Sequence, residues 1–306
     1  MVVKEIELSL AVHLLIFKVG VLLSVLCRIN AYQRGIDKME NLEQLEKHLQ
    51  EIQAWEQDQK DLWFWEKLGR IPFKILDKMT PSFLQNKIAL LVDELGSYVQ
   101  SGGKYLINEQ AMMQKIRSTS SFQHIFDISD IGQIPVEDMI ALSDKLQVER
   151  VKLATVQGAS TGFGGIFTLA IDIPFILGMA LKTLQEIAII HGYDPNDKME
   201  RIFIVKCLQF TSADIVGKEA ILKELSSMHD TNHASENMVS QLQGWQEVFF
   251  TYRDQLGWKK LFQMIPIAGM IFGAYANKGM MQDVSETGIM LYRKRRIVEK
   301  LNTLNQ

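Results

Sequence analysis

The chain has 306 residues, 47% of them apolar and 23% charged, enough to bury a sizeable core in one large domain or two. Its net charge of −3 offers no basic surface for a nucleic acid. Cys27 and Cys207 are the only cysteines and lie far apart, which argues against a disulfide framework and for a reducing compartment.

Residues 8–27, "LSLAVHLLIFKVGVLLSVLC", are about long enough to cross a bilayer at ~1.5 Å per residue. His13 and Lys18 oppose that, since a central Lys costs ~2.5–3.5 kcal/mol on insertion scales. Three accounts of residues 1–38 stay open: a transmembrane anchor, a mis-assigned N-terminal extension before a natural start at Met39, or an internal helix. As an anchor, the excess of Arg28, Arg34 and Lys38 over Lys4 would keep the C-terminal side cytoplasmic.

From Met39 the apolar spacing is helical. Leu42, Leu45, Leu49 and Ile52 recur at three and four residues, and a tryptophan cluster follows at Trp55, Trp63 and Trp65. Thr80-Pro81 opens a second stripe through Leu84, Ile88, Leu91, Leu95 and Val99, which Gly102-Gly103 ends. After a serine-rich connector, Ser129 or Asp130 caps a further helix with Glu137 and Asp138 near its start.

Between Lys152 and Lys182 the only charge is Asp172. Gly158 and Gly162, and Ser160–Thr161 with Gly164–Gly165, are spaced by four, which gives a helix a smooth groove for another backbone. Pro174 removes a helical hydrogen bond and Asp172 can cap the helix after it, so two apolar helices are expected to meet at Asp172–Pro174. The second ends at Gly192, and Asp194-Pro195 starts the next as N-cap and N1. A second apolar run holds Gly269 and Gly273 with Asn277 on the same face and Pro266 near its beginning; the last helix carries "YRKRR", residues 292–296. No recurrent strand period or hairpin signal occurs, so the fold class is all-α, with two glycine-spaced, hairpin-like apolar segments suited to membrane association.

Gly158, Ser160 and Gly162 also spell G-x-S-x-G, the nucleophile elbow of a soluble serine hydrolase. That elbow needs a strand before the serine, and "LQVERVKLATVQ" reads as helix instead. His229 and His233 are four apart but lack the intervening Glu of a zinc helix, and no phosphate-binding glycine loop is present. Neither a metal nor a cofactor is called for. Arg293, Lys294, Arg295 and Arg296 suit anionic lipid, each charge being worth ~1 kcal/mol near such a surface, or a solvated helix face.

Three blocks, "QGASTGFGGIFTLAIDIPFIL" with "IAIIHGYDP", "MIPIAGMIFGAYANKGMM" and "LYRKRR", together with "IQAWEQDQ" upstream, resemble the EcsC protein family from about Met39 to the C-terminus. Where that family usually has Glu before the first glycine, this chain has Gln157. The resemblance implies a bacterial, non-enzymatic protein on the cytoplasmic face of the cell membrane. Its implied partners are membrane lipids or a membrane protein such as an ABC transporter component. Residues 39–306 then form the EcsC-like domain, with a purely cytoplasmic location as the alternative.

Overall fold

The computed structural model describes residues 42–59, 96–102, 107–118, 125–163, 166–213, 215–227 and 266–304, the side chains at 162–174, 212, 215–216, 226–227 and 266–272 excepted. It divides into two compact units, Met1–Gln44 and Leu45–Gln306, and the described core lies within the second. The helices are α1 (Leu42–Asp58), α2 (Glu109–Arg117), α3 (Ile128–Ile131), α4 (Val136–Phe163), α5 (Ile166–Ile190), α6 (Lys198–Ser212), α7 (Ile215–Ser227) and α8 (Pro266–Leu304). No strand occurs among the described residues, so the fold is all-α. The segments 1–41, 60–95 and 228–265 lie outside the described residues, and with them the anchor question, Trp63, Trp65, His229 and His233.

Helix α8 is the spine. Helix α4 runs antiparallel to it: Gly158 meets Gly273, the Gln147 side chain reaches the Gln282 carbonyl at 3.5 Å, and Val136 shares an apolar cluster with Ile297. Helix α5 runs parallel to α8, with Thr183 against Met281, Leu184 and Ile187 against Gly288, and His191 against Arg296. Helices α1 and α6 run antiparallel to it, through Leu45 with Ile297 and Trp55 with Glu286 on one side and Glu200 with Tyr292 on the other.

The packing follows from side-chain period. On α4 the buried positions are Val136, Met139, Ser143, Leu146, Ala154 and Gly158, one stripe at steps of three, four and, across half-buried Arg150, eight residues. Beyond Phe175, α5 buries Ile176, Leu177, Leu181, Leu184, Ile187 and Ile190, and an apolar helix of this kind is enclosed on most sides. On α1, Leu45, Ile52 and Trp55 are buried, and the indole N–H of Trp55 donates to Glu286 at 2.8 Å.

Two local expectations are corrected. Helix α5 passes through Asp172 and Pro174 without a break: α4 ends at Phe163 and α5 begins at Ile166, and residues 164–165 between them lie outside the described residues. Asp172 is therefore inside a helix and is not its N-cap. A proline costs a helix interior ~3 kcal/mol, and each large apolar side chain buried beyond it returns ~1.5–3 kcal/mol, so tertiary burial outweighs the local rule. Likewise α6 begins at Lys198 behind Asp197 rather than at Pro195. Asp194 instead closes a turn, its carboxylate accepting from the Asn196 backbone N–H at 2.8 Å.

Candidate functional site

The charged residues of "YRKRR" sit in the last third of α8, and four surrounding elements converge on them. Glu200 of α6 is almost fully buried, and its two oxygens are divided between partners: Tyr292 donates its hydroxyl to one at 2.5 Å and Arg295 donates to the other at 2.7 Å. Burial pushes the Glu200 carboxyl up, against the pull of the Arg295 guanidinium, and pushes the Tyr292 hydroxyl and the Cys207 thiol up as well. The Arg295 guanidinium also lies 3.9 Å from the centre of the Tyr193 ring, a cation–π contact that satisfies charge without water.

Arg296 closes the end of α5. That helix stops where Gly192 adopts φ +80°, and the N–H of Tyr193 returns to the carbonyl of Ala188 at 2.9 Å. Arg296 Nε donates to the carbonyl of His191 just past the end of α5 at 2.8 Å, where a cation complements the helix dipole. A Cβ on Gly192 would stand 2.8 Å from this guanidinium and 3.1 Å from the Gly132 nitrogen, so glycine is needed both for its conformation and for the space. His191 is fully buried, stacked on Tyr292 with ring centres 6.0 Å apart; Nδ1 donates to the Ile187 carbonyl at 2.8 Å, and burial lowers its pKa to about 4.

Arg293 and Lys294 tie down α1. Arg293 is buried and donates to Glu51 at 2.5 Å and also meets His48, while Lys294 reaches Glu56 at 2.6 Å. The hydrogen bond from Arg293 holds the Glu51 carboxyl below its usual range. Beside Arg293 lies an open depression of about 300 Å³ lined by His48, Glu51, Glu137, Ile140, Ala141 and Asp144. Among the described residues no group of three or more His, Cys, Asp or Glu could hold a metal ion.

These contacts correct the reading of Arg293, Lys294, Arg295 and Arg296 as lipid contacts. Each already has an internal carboxylate or carbonyl, and leaving it for a headgroup would strand a buried partner such as Glu200. Sequence reasoning missed Glu200, an ordinary acid in an amphipathic helix, and with it the reason for Tyr292. It also missed Gly288, where a Cβ would stand 2.6 Å from Leu184.

At the other end of α8 the site residues are glycines. A Cβ on Gly158 would stand 2.1 Å from the Gly273 carbonyl oxygen and 2.9 Å from the Asn277 Cβ, so these three residues come together at a backbone-to-backbone contact. Pro266 is the first residue of α8, where its missing N–H is no loss. The surroundings of Gly162, Gly164, Gly165, Asp172, Pro174 and Gly269 lie outside the described residues. Ser160 sits in the body of α4, exposed, its hydroxyl donating to the Gln157 carbonyl at 2.8 Å. A strand-to-helix elbow requires the opposite, a strand before the serine and a hydroxyl held free by strain, so the hydrolase alternative finds no geometry here. Around the same end Leu153, Val156, Phe175 and Tyr275 are exposed, Val156 by 67% and Tyr275 by 64%.

Comparison with known proteins agrees with the sequence blocks. The sequence model of the EcsC protein family matches residues 46–297. A Bacillus subtilis (strain 168) protein named only as uncharacterized protein YdbA is 52% identical over 262 residues, covering 86% of this chain and 96% of that protein. Protein EcsC of the same organism is 27% identical over 170 residues, 56% of this chain and 69% of its own length. No solved structure matches the chain.

Proposed function

The chain belongs to the EcsC protein family, and from that premise we propose that it is a non-enzymatic, membrane-associated helical protein acting at the cytoplasmic face of the bacterial cell membrane. The observation that carries this reading is the exposure of Leu153, Val156, Phe175 and Tyr275 near one end of three packed helices. Soluble monomers rarely leave contiguous apolar surface uncovered unless it meets a membrane or a partner. Among the described residues no helix is long and apolar enough to cross a membrane, so the attachment proposed is to one face of the bilayer. The non-catalytic part of the proposal rests on how the polar groups are used. The buried Glu200 of α6 is engaged with Tyr292 and Arg295 of α8, and Ser160 has its hydroxyl turned back on its own helix.

An accessory role beside a membrane protein, such as an ABC transporter component, is the partner this reading implies. The test is fractionation of cells expressing the full chain, with washes in salt and then in detergent, followed by crosslinking and identification of captured proteins. Sedimentation with membranes that resists salt and yields to detergent is the expected result. A folded, monodisperse protein wholly in the soluble fraction would end the membrane reading.

A further inference from the structure

Three helices line the depression beside Arg293. Helix α4 contributes Ile140 and Ala141, with Glu137 and Asp144 about one turn to either side; α1 contributes His48 and Glu51, and α8 contributes Arg293. Glu137 and Asp144 share one face of α4, two turns or ~10 Å apart along its axis. Both are exposed, and neither carboxylate has a partner among the described residues. Free acids alone are an ordinary solvated helix face. Arg293 is not ordinary. It is only 6% exposed, and it spends Nη2 on Glu51 and His48. Its Nε is enclosed with no acceptor, and Nη1, which is not enclosed, has none among the described residues. A nearly buried guanidinium with unused donors is costly, so this wall of the depression calls for an acceptor from outside the chain.

The remaining charge is of the opposite kind. Glu51 is already taken by Arg293, which leaves Glu137 and Asp144 to attract cations. Together with His48 and Glu51 they do not converge on a metal ion, so each free acid answers its own cation. At about 300 Å³ the depression stands at the small end of ligand sites. From this arrangement we propose that it binds a free basic amino acid such as lysine. The ligand's carboxylate meets Arg293, its α-ammonium and side-chain cation meet Glu137 and Asp144, and its methylenes cross Ile140 and Ala141. One anion and two cations on a short aliphatic chain complement one under-used guanidinium and two free acids separated by apolar residues. A plain diamine would leave Arg293 unanswered, and an uncharged side chain would leave one acid unanswered. The site is independent of membrane attachment and stands whether or not the chain meets a bilayer.

The experiment is calorimetric titration of the full chain with L-lysine and two analogues, each lacking one charged group. Cadaverine has no carboxylate, and norleucine has no side-chain ammonium. Lysine is expected to bind, and each analogue to bind about tenfold more weakly or worse, because one charge-assisted hydrogen bond is lost. Glu137→Gln and Asp144→Asn should each weaken lysine binding about tenfold by the same loss. Both positions are exposed and lack internal partners, so the melting temperature without ligand should stay unchanged. Arg293 is left in place because it ties down α1, and the cadaverine comparison probes it with the fold intact. Cadaverine binding as tightly as lysine would leave Arg293 without a role and overturn the amino-acid assignment in favour of a diamine. Norleucine binding as tightly as lysine would remove the second cation and overturn the assignment to basic amino acids. Lysine binding unchanged in both variants would place the ligand elsewhere and overturn the site. Absence of heat, and of any rise in melting temperature, with millimolar lysine would end the proposal.

Discussion

At Gly158 and Gly273 the backbones of α4 and α8 touch with no side chain between them, whereas ~30 Å further along α8 four cations hold its neighbours at arm's length through carboxylates, carbonyls and an aromatic face. The glycine end is positioned by excluded volume, which is steep and short-ranged. The ionic end is positioned by charge-assisted hydrogen bonds, which are directional and need every partner present. One helix can therefore be intolerant of an added methyl at one end and of a lost charge at the other.

The largest expected effect breaks the ionic end. Arg295→Ala leaves Glu200 buried without its counterion and is expected to cost ~3–5 kcal/mol in urea unfolding. Adding Glu200→Gln should recover part of that loss, because the uncompensated charge is gone. A double variant no more stable than Arg295→Ala alone would show that the lost cation–π packing on Tyr193 matters more than the ion pair.

Acid is the second probe of that end. Unfolded His191 takes up a proton below about 6.5, while the buried ring resists until about 4. Between those values the unfolded chain binds more protons, so stability falls as pH falls, by about 3 kcal/mol across the window. His191→Phe, which keeps a ring against Tyr292, should flatten this slope when melting is followed from pH 7 to pH 4. An unchanged slope would place the titration elsewhere.

At the glycine end, Gly158→Ala gains ~1 kcal/mol of helix propensity but drives a methyl into the Gly273 carbonyl, and overpacking at ~1–3 kcal/mol should win. Gly279→Ala on α8 is the matched control: nothing lies within 4 Å of its Cβ, so propensity alone acts and the variant should be stabilised. Equal shifts in melting temperature for the two would refute the close-contact account. If the register continues one turn beyond Gly158, Gly162 faces Gly269, and Gly162→Leu or Gly269→Leu should also destabilise. The smallest effect is expected at Ser160→Ala, where an exposed hydroxyl bonded to its own helix is removed, within ~0.5 kcal/mol and without change in cellular role. Labelling of the wild type but not this variant by a fluorophosphonate probe would restore the hydrolase reading.

Much was legible in the residues themselves. The period of Leu45, Ile52 and Trp55 and the stop at Gly192 are local signals, and a helix expresses them whatever surrounds it. The all-α class and the family blocks follow from the same one-dimensional information. What the sequence could not decide was which local rule would yield. Pro174 argued for a break, and burial of Ile176 through Ile190 carried α5 through it. "YRKRR" is a run of exposed charges on paper, and only the arrival of Glu51, Glu56, Glu200 and the end of α5, each from a distant part of the chain, turns it into an internal brace. Helix direction and register are decided in the same way: Gly158 meets Gly273 and Gly288 meets Leu184 only because packed neighbours set them, and no single segment contains that information.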